Sequence, residues 1–230
     1  VKSSGWISAT SYEFQNLSDG EVYYFRVKLR NSTGTETTYS SIESTQVDTS
    51  APIAGTISIE ASYQSSTNVS FSWTGFSDSD GSGIDHYEVH IAGTDTFENL
   101  LYEQNHFVGN TKAYSGEQDG VYYARVRAVD DVGNKSGFVV SSAVKVDTTP
   151  PEPFVLYGKT DPSPPGDQVI SWTVARDGES GIDYYDVWRE DAIAGTPGNL
   201  DAVELFRSVA QVTTTSFTDE SLQDGFHYQY

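Results

Sequence analysis

The chain contains neither cysteine nor methionine. Without thiols it can build no disulfide framework and no thiolate metal site, so each folded unit must rest on its apolar core, with a bound ion as the only covalent-free staple left to it. Basic residues are also scarce: 13 Lys and Arg stand against 33 Asp and Glu, a formal net charge of −20. Phosphate binding depends on clustered Lys and Arg, which excludes nucleic acid as a partner class. Attraction to an anionic membrane surface is excluded on the same ground. No segment approaches the roughly 18 consecutive apolar residues that a membrane-spanning helix needs. Leu, Lys and Glu are too sparse for long helices. Tyr (15) and Phe (11) are plentiful, and Gly (20) and Pro (8) punctuate the sequence. That balance is the composition of an all-β chain. Its acidic surface repels itself and stays solvated, and divalent cations are the partner class that such a surface favours.

An internal repeat sets the architecture. The segment Val47-Asp48-Thr49-Ser50-Ala51-Pro52 recurs 99 residues later as Val146-Asp147-Thr148-Thr149-Pro150-Pro151. Tyr23-Tyr24-Phe25-Arg26-Val27 returns as Tyr122-Tyr123-Ala124-Arg125-Val126. Ser72-Trp73 returns as Ser171-Trp172, and Ser82-Gly83-Ile84-Asp85 as Ser180-Gly181-Ile182-Asp183. Residues 51–148 therefore hold one complete module. Residues 1–50 are expected to be the C-terminal part of a preceding module and residues 149–230 the N-terminal part of a third, the whole being a stretch of a longer polypeptide.

Alternation of apolar and polar residues gives the strands of the middle module. Thr56 to Ala61 suits a first strand, A. Val69, Phe71 and Trp73 share one face of strand B, and Tyr87, Val89 and Ile91 one face of strand C. Weaker segments follow near Leu101–Val108 and Thr111–Ser115. Tyr122, Ala124, Val126 and Ala128 line one face of strand F, and Phe138 to Val146 supplies strand G. About seven short strands in about 100 residues make a β-sandwich.

A Trp late in strand B, with a Leu six residues before a strand-F Tyr (Leu17 and Tyr23, Leu222 and Tyr228), resembles the fibronectin type III module and its tyrosine corner. The middle module has Gly116 where that Leu is expected, so its corner is read as altered. The finer pattern is similar to the tandem Ig-like or fibronectin-like modules of very large bacterial and archaeal surface, adhesin and secreted proteins: Trp, an acidic loop with Ser-Gly-Ile-Asp, Tyr-x-Val, Asp-Gly-x-Tyr-Tyr, Val-Gly-Asn-Lys-Ser and Val-Asp-Thr-Thr-Pro-Pro. The resemblance implies tandem seven-stranded sandwiches in an extracellular setting, neighbouring modules of the same polypeptide as the first partners, and other copies as partners within a fibre or coat. It implies a structural or adhesive role and no catalysis. Non-catalytic spacer modules of a secreted polysaccharide-degrading enzyme are the alternative.

The sharpest chemical feature is a set of acidic loops. Asp78, Asp80 and Asp85 lie on the loop between strands B and C of the middle module, and Asp177, Glu179 and Asp183 on its counterpart in the third. Asp130, Asp131 and Asn134 lie on the F–G loop of the middle module, and the incoming linkers bring Asp48 and Asp147. In a sandwich of this topology these loops share one end, and closely spaced oxygen ligands on Gly-containing loops suit Ca²⁺. Two readings stand side by side: a junctional calcium that stiffens one module against the next, or Asx turns that need no metal. The loop Asp78-Ser79-Asp80-Gly81 lacks the closing Glu of an EF-hand.

His86 and His90 share a strand face by spacing and read as surface residues. His106 and His227 have no acidic partner that spacing can place. Catalytic signatures such as Gly-x-Ser-x-Gly or His-Glu-x-x-His are absent. Trp188, adjacent to inward Val187, is expected to face outward.

Overall fold

A computed structural model describes residues 2–160, 166–192, 207–220, 222 and 227–230. The chain divides into two compact units, Val1–Val146 and Asp147–Tyr230. Within the first unit, β1 (Val22–Phe25) and β2 (Glu43–Gln46) form an antiparallel pair in which Tyr23 lies opposite Thr45. The Tyr23 hydroxyl accepts the Ser18 N–H at 2.9 Å, tying the turn ahead of β1 to the strand as a tyrosine corner does.

The middle module is a sandwich of two sheets. One is β3 (Thr56–Ile59), β5 (Asn68–Thr74) and β8 (Thr111–Ser115), with β5 central. The other runs β4 (Tyr63–Gln64), β11 (Val144–Val146), β9 (Gly120–Asp130), β6 (Ile84–Ala92) and β7 (Leu100–Phe107), with β10 (Val139–Val140) also pairing β9. The strand after β6, β7, joins β6 rather than β8, so the module has the fibronectin type III-like arrangement and not that of an immunoglobulin constant domain, whose corresponding strand pairs on the opposite sheet.

Strict alternation on β5 buries Val69, Phe71 and Trp73 and leaves Ser70 and Ser72 between them half-buried. They meet Val89 and Ile91 from β6, Tyr122, Ala124 and Val126 from β9, and Val144 and Val146 from β11. Trp73 packs edge-on against Tyr87 and Phe107, with ring centroids 5.6 and 5.5 Å away.

The middle module's corner differs from that of β1, and Gly116 makes room for it. The Tyr122 hydroxyl donates to the Gln118 carbonyl at 2.6 Å, and a Cβ on Gly116 would lie only 2.4 Å from that hydroxyl. The small residue is the condition for the buried tyrosine to lie across the turn. Gly116→Ala is expected to lower stability by about 1–3 kcal/mol, the usual cost of overpacking. Urea denaturation of the two proteins measures it, and an unchanged midpoint would refute the close approach.

Strand β6 departs from simple alternation. From Glu88 to Ala92 every residue is buried. His90, expected at the surface, is only 6% exposed. The outer face of this sheet is roofed by aromatics: Phe138 lies 5.1 Å from the His90 ring, and the Arg125 guanidinium is held over both Phe97 and Phe138. Beneath them Glu88 accepts Arg127 at 2.6 Å and Lys135 at 2.7 Å.

The second unit repeats the layout. β12 (Leu156–Thr160), β13 (Gln168–Trp172) and β16 (Ser216–Asp219) make one sheet; β15 (Arg207–Val212), β14 (Tyr185–Ala192) and β17 (His227–Gln229) make the other. Ile170, Trp172, Tyr185 and Val187 form its core, and Trp188 is exposed. Arg189 and Asp219 form a buried ion pair at 2.7 Å. Residues 223–226, between Leu222 and β17, lie outside the described residues, as does the side chain of His227. Among the described residues no helix is long and apolar enough to cross a membrane.

Candidate metal centre

Three segments distant in sequence meet at one end of the middle module. Asp48 arrives on the incoming linker, Asp78 on the loop between β5 and β6, and Asp130 at the last position of β9. One carboxylate oxygen from each lies within 4.8 Å of the other two. Each is oriented by backbone donors. Asp130, 2% exposed, accepts the N–H groups of Val132 at 3.0 Å and Asn134 at 2.8 Å, and its second oxygen accepts Asn134 Nδ2 at 2.8 Å. Asp78 accepts the Gly83 N–H at 2.8 Å. Asp48 accepts Ser82 N–H at 2.7 Å with one oxygen and Ser50 N–H at 3.1 Å with the other.

Glycine makes the convergence possible. A Cβ on Gly81 would come within 2.5 Å of Asp78 and 2.8 Å of Asp48, so a larger residue there would push the two carboxylates from these positions. Gly83, with φ +92°, turns the chain so that its N–H points back at Asp78.

Ser82 holds the Asp48 carboxyl below its ordinary value; burial opposes this, and the Ser50 N–H reinforces it. The linker is anchored again by Asp19, which accepts the Thr49 N–H at 2.6 Å and the Ser50 hydroxyl. Hydrogen bonds from Ser50 and then Thr49 hold the Asp19 carboxyl below its usual range against a smaller burial effect.

The other sequence candidates separate from this cluster. Asp80 and Asp131 are exposed, and the Asp131 backbone N–H donates to the Gly83 carbonyl at 3.2 Å. Asn134 takes part as a donor to Asp130. Asp85 turns away to His86 and His106, so His106 does have an acidic neighbour. In the second unit Asp177 caps its own turn, accepting the N–H groups of Glu179, Ser180 and Gly181 at 2.9–3.1 Å. The Gly181 bond, then that of Ser180, lowers its carboxyl below the ordinary value. Asp147 accepts the Ser180 N–H at 3.0 Å, while Glu179 and Asp183 stay exposed. Among the described residues of that unit no trio of carboxylates gathers, and the Asx-turn reading describes its loop.

An all-oxygen set of three carboxylates fits a hard cation such as Ca²⁺, which takes six to eight oxygens at roughly 2.3–2.6 Å and accepts water for the remainder. Their hydrogen bonds leave each carboxylate with unused lone pairs. Such a group would supply neutralisation of charge and a tie between linker and loops.

No family model matches the chain, and no curated protein matches it. Among solved structures it is similar to a Fn3-like protein from Clostridium thermocellum at 14% identity and TM-score 0.28, over 43% of this chain and 91% of that one. It is similar to the FN1-FN3 domains of chicken CNTN1 at 15% identity and TM-score 0.32, over 92% of this chain and 69% of that one. It is also similar to chitinase ChiA74 from Bacillus thuringiensis at 16% identity and TM-score 0.33, over 80% of this chain and 30% of that one. Superpositions this loose carry no argument about function; the fibronectin type III-like fold stands on the strand pairing itself.

Proposed function

We propose that this chain is a structural repeat region of a long extracellular cell-surface protein, a stalk, fibre or coat in which serial sandwiches hold distance and orientation. A Ca²⁺ ion held by Asp48, Asp78 and Asp130 stiffens the linker that enters the middle module. The observation that carries the reading is the meeting of three carboxylates from the linker, the β5–β6 loop and the end of β9, with Gly81 packed against two of them. Repeat stability is local, so such a protein gains length by duplication without redesign of its core. The cation removes the repulsion that three converging carboxylates would otherwise impose.

Calcium at about 100 times its dissociation constant is expected to stabilise the linker and middle module by about 2.7 kcal/mol. Differential scanning calorimetry with and without millimolar Ca²⁺ reads this as a rise in melting temperature. Asp78→Asn is expected to lose the rise. An absent shift, or one that Asp78→Asn retains in full, would sink the calcium reading.

A further inference from the structure

A second group of ligand atoms lies on the neighbouring edge of the middle module, and its chemistry is different. Pairing of β6 with β9 passes from Ile84 opposite Asp130 to His86 opposite Val129, which leaves Asp85 as the extra residue of a β-bulge. A bulge breaks the in-and-out alternation of the strand and re-aims a side chain, so consecutive residues can serve one site. His106 comes from β7, beside the pair formed by Tyr87 and Phe107. His86 Nδ1 lies 2.7 Å from Asp85 Oδ2, and His106 Nδ1 lies 3.9 Å from the same oxygen. The two imidazole rings face one another with centroids 4.3 Å apart.

We propose that Asp85, His86 and His106 form a binding site for a divalent transition-metal ion of the zinc class. One ligand atom from each lies within 4.8 Å of the other two. Ligands held about 2.0–2.1 Å from one Zn²⁺ in a tetrahedron are roughly 3.3 Å apart. The observed 2.7 and 3.9 Å bracket that separation, so small side-chain rotations complete the geometry.

Donor type separates this site from the carboxylate cluster. Imidazole nitrogen suits zinc, copper and nickel, whereas calcium takes oxygen. Access favours the same reading: the His106 side chain is 64% exposed while that of His86 is 15% exposed, so one ligand is pre-oriented by packing and the other can close on an arriving ion. Three protein ligands leave at least one position for water or for a donor from another molecule. His90 supplies an internal contrast. Its Nδ1 accepts Arg125 Nε at 3.0 Å and its Nε2 lies 3.4 Å from Asn105, which leaves neither nitrogen for a metal.

The test is calorimetric titration of the full chain with Zn²⁺, beside NMR of the histidine rings. One Zn²⁺ per chain is expected, with shifts at His86 and His106 and none at His90. His106→Gln and Asp85→Asn should each weaken binding by about tenfold or more, the scale on which losses from a metal site are felt. Calcium at about 1 mM should not compete, because it prefers oxygen ligands. His106→Gln alters an exposed side chain, and its melting temperature without metal verifies the fold; His86→Gln is the second variant. The proposal is overturned by an absence of zinc binding, by full affinity in both histidine variants, or by displacement of zinc by calcium.

Discussion

Phe71→Ala is expected to destabilise the middle module by about 3–5 kcal/mol, the range for removing a fully buried aromatic side chain. Phe71 is 0% exposed, lies opposite Ile59 on the central strand of its sheet, and packs across the sandwich with Ile91, Tyr122, Ala124 and Val144. Two facing sheets cannot collapse to fill the space, because each is held by its own ladder of hydrogen bonds. A domain has only about 5–15 kcal/mol of net stability, so this single change consumes a large share. No disulfide is present to restrain the unfolded chain. Amide hydrogen exchange along β5 and β9 gives the measurement. Leu101→Ala, at a position 51% exposed, is the contrast and should change little. A loss below about 1 kcal/mol for Phe71→Ala would mean that the sheets do not pack as described.

Glu88→Gln is expected to cost about 1–3 kcal/mol at neutral pH and to flatten the acid limb of the stability curve. Breaking a well-buried ion pair costs about 3–5 kcal/mol, and the partial exposure of Arg127 and Lys135 reduces that figure. Burial alone would raise the Glu88 carboxyl, but the hydrogen bonds of Lys135 and Arg127, with their charges, outweigh it and hold the group below its ordinary value of 4.5. As pH falls past that value, the unfolded chain takes up this proton before the folded one does. The stabilisation from Glu88 is therefore complete above about pH 4.5 and is lost as pH drops through the lower, folded value. Unfolding free energies from urea titrations between neutral and acid pH should converge for the two proteins at the acid end. Curves that stay parallel would show that the three side chains are not coupled.

What the sequence made legible was periodicity. The inward faces of β5 and β9 follow from alternation alone, and the repeated linker marks where similar chemistry recurs. The outer face of β6 was hidden, because His90 lies against Phe138 and Glu88 is paired with Arg127 and Lys135, contacts between segments that alternation cannot match to one another. The carboxylate cluster was legible in part. Asp48, Asp78 and Asp130 belong to segments that this topology brings to one end, but neighbours such as Asp80 and Asp131 point to solvent from the same turns. Asp85 could not be assigned by spacing, since the bulge that re-aims it is a property of strand pairing. Gly116 marked an altered corner without showing its reason, because the tyrosine that needs the space approaches only in the folded module.

The pairing of β4 with β11 has a mechanical meaning. These strands run parallel, with Lys145 opposite Tyr63 and Val146 opposite Gln64; β11 is the last strand of the module, and β4 follows its first strand, β3. Tension drawn through the residues after Val146 loads β11 directly, and tension through the preceding linker, once β3 has parted from β5, pulls β4 the opposite way along the common axis. Their hydrogen bonds then resist together, in shear, instead of opening one after another like a zip. The patch that closes the sandwich is thus also its clasp against stretching.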